Sequence, residues 1–121
     1  MPDASNIADI YIATWNERDP VKRSELLSEA WAEGARYIDP LMAGEGTEEI
    51  GQLIAGVQDR FPDFRFSLDG MADSVGSLVR FSWDLDPVID APIVKGTDFV
   101  TIQDGRISSV VGFIDMAPAL G

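Results

Sequence analysis

The stretch Ile93–Val94–Lys95–Gly96–Thr97–Asp98–Phe99–Val100–Thr101–Ile102–Gln103–Asp104–Gly105–Arg106–Ile107–Ser108–Ser109–Val110–Val111–Gly112–Phe113–Ile114–Asp115 organises everything around it. Asp104–Gly105 is the dipeptide that best specifies a two-residue β-hairpin turn, and both flanking arms are rich in β-branched and aromatic residues. Pairing the arms across that turn sets Ile102 opposite Ile107, Val100 opposite Ser109 and Asp98 opposite Val111. Side chains alternate with period two, so Val94, Asp98, Val100, Ile102, Ile107, Val111 and Phe113 are expected on one face. That face is apolar except for Asp98, Ser109 and Asp115. The opposite face, with Lys95, Thr97, Phe99, Thr101, Ser108, Val110 and Ile114, is more polar. A carboxylate in an apolar stripe must pair with a cation, hold its proton or do chemistry. Arg80 and Lys95 are the candidate partners if it pairs.

Upstream of the hairpin two more strands alternate cleanly. Phe64, Phe66 and Leu68 interleave with Arg65, Ser67 and Asp69, and Val79, Phe81, Trp83 and Leu85 interleave with Arg80, Ser82 and Asp84. Asp86–Pro87 and Asp90–Ala91–Pro92 read as the connection into the hairpin.

The first half is helical. Ser5 is placed to cap a helix to about Asn16, with Ile7, Ile10, Tyr11, Thr14 and Trp15 on one face. Asp19–Pro20 reads as an N-cap with proline at the first helical position, opening a second helix to about Trp31, and Gly34 ends the pair. Ala35–Asp39 is a short strand stopped by Pro40, and Leu41–Gly46 a mobile loop. Thr47 then caps a third helix carrying Ile50, Leu53, Ile54 and Val57 inward, with Glu48 and Glu49 suited to its N-terminal dipole. Helices first and antiparallel strands afterwards predict a single α+β domain over residues 1–121. Its three N-terminal helices pack in the concave face of a curved, mainly antiparallel sheet and leave an internal pocket.

Composition narrows the chemistry. The chain has 121 residues, 45% hydrophobic and 25% charged, the balance of one ordinary folded domain. A net charge of −12 leaves no basic stripe for phosphates, so neither nucleic acid nor an anionic membrane surface is an expected partner. With no cysteine and no histidine, thiolate catalysis and the commonest zinc ligands are excluded. Acid–base work must run on carboxylates, tyrosine or lysine. No metal or cofactor is expected. The N-terminus lacks a signal-peptide pattern, and no run approaches the roughly 20 apolar residues of a membrane span, so a cytoplasmic location is expected.

Two further polar groups have a place near Asp98. Tyr11 lies on the buried face of the first helix, where it serves either as a half-buried aromatic or as a donor to a substrate carbonyl. Asp39, before Pro40, serves either as a turn starter or as a general base at a pocket mouth beside a glycine-containing lid.

Tyr11 in Ile–Tyr–Ile–Ala–Thr–Trp–Asn–Glu–Arg–Asp, Asp39 in Tyr–Ile–Asp–Pro and Asp98 in Gly–Thr–Asp–Phe–Val resemble three positions of ketosteroid isomerases. These are the catalytic tyrosine, the proton-transferring aspartate and the protonated aspartate. The wider similarity, over nearly the whole chain, is to the SnoaL-like (polyketide cyclase) branch of the nuclear transport factor two-like superfamily, a cystatin-like cone. The resemblance implies proton abstraction next to a carbonyl, with Asp39 as base and with Tyr11 and a neutral Asp98 donating to the enolate oxygen. A SnoaL-like cyclase needs only one carboxylate, Asp98, as acid and base. Limonene-type epoxide hydrolysis fits worse, because Gly96 stands where that pattern has arginine.

Trp15, Phe81, Trp83, Val100, Val111 and Phe113 are the expected substrate-contacting residues, and the ligand is expected to be small, apolar or carbonyl-bearing. A non-catalytic pocket for an apolar ligand or a protein partner is the alternative. An outer sheet face with Phe99, Val110 and Ile114 suggests a homodimer.

Overall fold

A computed structural model describes residues 3–87 and 94–117. Asp3 caps the first helix, α1 (Ala4–Asn16), accepting the amide of Asn6 at 3.1 Å. The cap therefore falls two residues before Ser5. Asp19 caps α2 (Pro20–Ala30) as its sequence predicts, accepting the amides of Val21 and Lys22.

Trp31 does not continue this helix. It turns extended and opens β1 (Trp31–Ile38), which runs straight through Gly34. The expected mobile loop contains a three-residue strand, β2 (Ala43–Glu45). Gly46, at φ 87°, occupies the N-cap of α3 (Thr47–Arg60), so Thr47 does not cap. Glu48 and Glu49 do occupy its first turn.

Four strands follow: β3 (Phe64–Val75), β4 (Leu78–Pro87), β5 (Val94–Gln103) and β6 (Arg106–Met116). The Asp90–Ala91–Pro92 part of the expected connection lies outside the described residues. The turn between β5 and β6 has Asp104 at φ 53° and Gly105 at φ 78°, the double left-handed conformation of a type I′ turn. The strands form one curved, open sheet in the order β2-β1-β6-β5-β4-β3. Only β1 and β6 among these neighbours run parallel.

The helices cover the concave face of the sheet, with α1 against β3 and β4 and α3 against β1 and β2. The core between the layers includes Trp31, Ile50, Ile54, Val79, Val100, Ile107 and Val110. Gln58, 8% exposed, joins the helices to one another. Its amide nitrogen donates to the carbonyls of Trp15 and Glu17, and its oxygen accepts from Arg23 at 2.8 Å. Asn16 docks the end of α1 on β3, donating to the Phe66 carbonyl and accepting its amide, both at 2.8 Å.

The hairpin corrects the expected register. Ile102 pairs with Ile107, but Thr101 then pairs with Ser109, so Ser108 is an extra residue. Beyond that bulge Val100 faces Val110 and Asp98 faces Gly112. Val110, Gly112 and Ile114 therefore point inward, and Val111 and Phe113 point outward, 41% and 52% exposed. The expected roles of Val111 and Phe113 as pocket lining fail for this reason. The outer face carries Phe99, Val111 and Phe113 in place of Phe99, Val110 and Ile114, with the Phe99 and Phe113 rings edge to face at 5.9 Å.

Candidate active site

A cavity of about 510 Å³ opens between the helices and the concave face of the sheet. Its wall is mostly apolar. Trp15 enters from α1, Leu53, Val57 and Phe61 from α3 and its end, Phe66 from β3, and Leu85, Val94 and Ile114 from β4, β5 and β6. Gln52 and Arg60 also line it, and both are exposed. Against this wall stand two carboxylates, each paired with a tyrosine.

Asp98 is the deeper one, 2% exposed. Alternation along β5 aims it inward beside Gly96 and Val100. Neither expected cation reaches it: Arg80 pairs with Asp73 at 2.8 Å, and Lys95 pairs with Asp84 at 2.9 Å. The hydroxyl of Tyr11 donates to Oδ2, and the indole Nε1 of Trp83 donates to Oδ1 at 3.0 Å. Tyr11 is held by its ring neighbours, Phe81 edge-on at 4.9 Å and Trp31 stacked at 5.7 Å.

Burial pushes the Asp98 carboxyl up to about 6, with Asp39 and Asp115 adding to the rise and the Tyr11 and Trp83 donors opposing it. Burial also raises the Tyr11 phenol well above its ordinary range, and the Asp98 charge adds to this. Tyr11 is thus a hydrogen-bond donor and not a phenolate. Both Asp98 oxygens accept in this arrangement, and the upward shift runs in the direction of the expected neutral acid.

Asp39 follows the last residue of β1 and is half-buried at the cavity wall. It is both the turn starter and a wall group. Its Oδ1 accepts the amides of Leu41 and Met42 at 2.8 and 2.9 Å, while Oδ2 accepts the Tyr37 hydroxyl at 2.6 Å. Burial, with the Asp98 charge next, raises the Tyr37 phenol as well. Asp98 and Asp39 both border Gly112. A methyl group placed there would stand 2.8 Å from Asp98 Oδ1 and 3.3 Å from the Cβ of Asp39.

The cavity therefore brings together Tyr11, Asp39, Asp98, Trp15 and Trp83. Phe81 and Val100 are buried, but behind the wall, Phe81 supporting Tyr11. Tyr37, absent from the expected site, had a signal: two residues before Asp39, it shares that residue's side of an extended chain. Gly112 had none, because its place opposite Asp98 depends on the bulge. Among the described residues no cluster of three or more acids is grouped to hold a metal ion, and no helix is long and apolar enough to cross a membrane.

Two tyrosine–carboxylate pairs in one apolar cavity, beneath three helices on a curved open sheet, sit in a fold of the nuclear transport factor two-like class. The chain belongs to the SnoaL-like domain family, whose pattern matches residues 8–110. A candidate isomerase of the SnoaL-like family from Agrobacterium tumefaciens is 44% identical, with a TM-score of 0.89 over 93% of this chain and 97% of that one. Two more distant structures share the fold. A candidate ketosteroid isomerase from Kribbella flavida is 21% identical, with a TM-score of 0.71 over 98% of this chain and 83% of that one. A candidate SnoaL-like polyketide cyclase from Jannaschia sp. CCS1 is 18% identical, with a TM-score of 0.72 over 95% and 89%. No curated protein matches the chain significantly.

Proposed function

We propose that the protein catalyses proton transfer at a carbon next to a carbonyl in a small apolar substrate, with Asp98 as the group that takes and returns the proton. The supporting observation is a carboxylate on the wall of an apolar cavity, 2% exposed, with its proton affinity raised to about 6. A base of that strength is ionised at neutral pH yet strong enough to compete for a carbon-bound proton. Asp39 accepts three donors on its two oxygens against two on Asp98, and two of the three hold its own turn.

Asp98 removes the proton, and the electron pair of the broken C–H bond passes into the carbonyl as an enolate. Once protonated, Asp98 can donate to the Tyr11 oxygen, which frees the Tyr11 hydroxyl proton for the enolate oxygen. Returning the proton to a different carbon completes an isomerisation. Attack of the enolate carbon on a second carbonyl, with the proton delivered to the new alkoxide, closes a ring. Both outcomes use the same groups. A cavity of about 510 Å³ suits a compact ring system, and Arg60 and Gln52 suit a polar substituent at its outer end.

The test is deuterium exchange next to the carbonyl of cyclic ketones and aromatic polyketide analogues, followed by NMR. Wild-type protein exchanges its substrate, with the acidic limb of kcat/KM breaking near pH 6. Asp98→Asn loses a factor of about 10² or more, the usual contribution of a general base. Turnover abolished in Asp39→Asn but kept in Asp98→Asn returns the base to Asp39. Ligand binding with no exchange in any form assigns a binding domain.

A further inference from the structure

The bond from Trp83 to Asp98 depends on a residue that touches neither the cavity nor the carboxylate. Trp83 on β4 is the cross-strand partner of Gly96 on β5, and Asp98 is the next inward residue along that strand. The indole lies down over the backbone at position 96. A Cβ there would stand 2.2 Å from its Cζ2, 2.6 Å from its Cε2 and 2.7 Å from the carbonyl oxygen of Phe113. Even a methyl group at 96 would lift the ring away. With no side chain there, Nε1 reaches Oδ1 at 3.0 Å, and the Phe66 ring closes edge-on at 5.3 Å. The other two indoles, of Trp15 and Trp31, are buried with no acceptor, so Trp83 alone of the three gives its N–H to a carboxylate.

We infer that Trp83, seated on Gly96, is a positioning residue for the acid–base step, its indole N–H fixing Oδ1 of Asp98 and keeping the carboxylate ionisable in an apolar cavity. The physical reason is that a donor to a charged oxygen is worth more than one to a neutral oxygen, most of all where water is excluded. Tyr11 supplies the matching donor to Oδ2. Among the described residues, the charged and titratable groups around Asp98 are Tyr11 from α1, Tyr37 and Asp39 from β1 and its end, and Asp115 from β6. Of these Asp39 and Asp115 oppose ionisation, so the two donors are what offset burial. The inference rests on Asp98 as the proton-transferring group.

The experiment follows the Asp98 carboxyl carbon and the three indole N–H signals by NMR across pH 4–8, alongside the pH profile of exchange. In wild-type protein one indole signal moves with the Asp98 midpoint and two stay still. Trp83→Phe raises that midpoint by about one to two pH units, a ten- to hundredfold change in proton affinity. The acidic limb of kcat/KM moves with it. Gly96→Ala does the same, and in the Trp83→Phe background it moves the midpoint no further. An unmoved midpoint in Trp83→Phe, which keeps an aromatic ring but removes the N–H and does not depend on Gly96→Ala folding, overturns the inference whatever the turnover. A midpoint that moves while Asp98→Asn keeps full turnover overturns the acid–base reading and leaves the indole–carboxylate bond as a structural contact.

Discussion

Asp39 and Asp98 approach each other across the missing side chain of Gly112. Asp39 arrives from the end of β1 and Asp98 from β5, and a single added methyl group would meet the Cβ of the first and Oδ1 of the second. The φ angle of Gly112 is not in the left-handed region, so alanine is tolerated by the backbone and acts only through contact. Gly112→Ala is expected to displace Asp98 Oδ1 from the Trp83 N–H, reduce cavity ligand binding and lower stability by about 1–3 kcal/mol. Urea unfolding and ligand titration on the same variant measure both effects.

Asp98 makes the fold less stable as pH rises. Its carboxyl is raised to about 6 in the folded chain from an ordinary value near 4. Between those limits the folded chain holds a proton that the unfolded chain has released, so stability falls with rising pH through that window and stays lower above it. The deficit amounts to about 3 kcal/mol at most. Asp98→Asn removes the charge while keeping the shape. It is expected to be the more stable form at pH 8, with the gap closing toward pH 4. Unfolding curves at both pH values decide this, and equal gaps would contradict it.

Tyr11→Phe takes the donor from Asp98 Oδ2 and leaves Trp83 as the remaining one. The Asp98 carboxyl is expected to rise further above 6, carrying the acidic limb of activity with it. Losing a hydrogen bond to a charged oxygen costs about 1.5–3 kcal/mol at pH 8, and less at pH 5, where the carboxyl is protonated. Thermal or urea unfolding at the two pH values shows the difference.

Gln58→Ala tests the scaffold apart from the site. It takes one of two acceptors from the Arg23 guanidinium, which keeps the Glu17 carbonyl at 3.0 Å, and leaves the carbonyls of Trp15 and Glu17 without this amide donor. A loss of about 2–4 kcal/mol is expected, with the Asp98 midpoint unchanged in the protein that remains folded. A moved midpoint would mean that the clamp also sets the site.

Much of this site was legible one residue at a time. Asp98 pointed inward by alternation alone, and Asp19–Pro20 placed the start of α2. What could not be read was set by neighbours. Trp31 continued the helical stripe of Leu26, Leu27 and Ala30, and only its bridge to Ile107 of β6 makes it a strand residue. β2 is three residues long and owes its existence to pairing with β1. The partnership of Trp83 with Asp98 follows from the β4–β5 register, which no local pattern sets. Tyr37 was the signal passed over, two residues from Asp39 on the same extended segment.

Ser108 acts as a phase shifter. β6 leaves the hairpin with Ile107 inward, and the added residue returns Val110, Gly112 and Ile114 to the inside instead of Ser109, Val111 and Phe113. A hairpin that kept every residue but paired Ser108 regularly, with no bulge, would exchange the two sets. A valine would then stand opposite Asp98 in place of Gly112. The shape of the cavity therefore depends on how one residue beside the turn, far from the pocket, is accommodated in the strand.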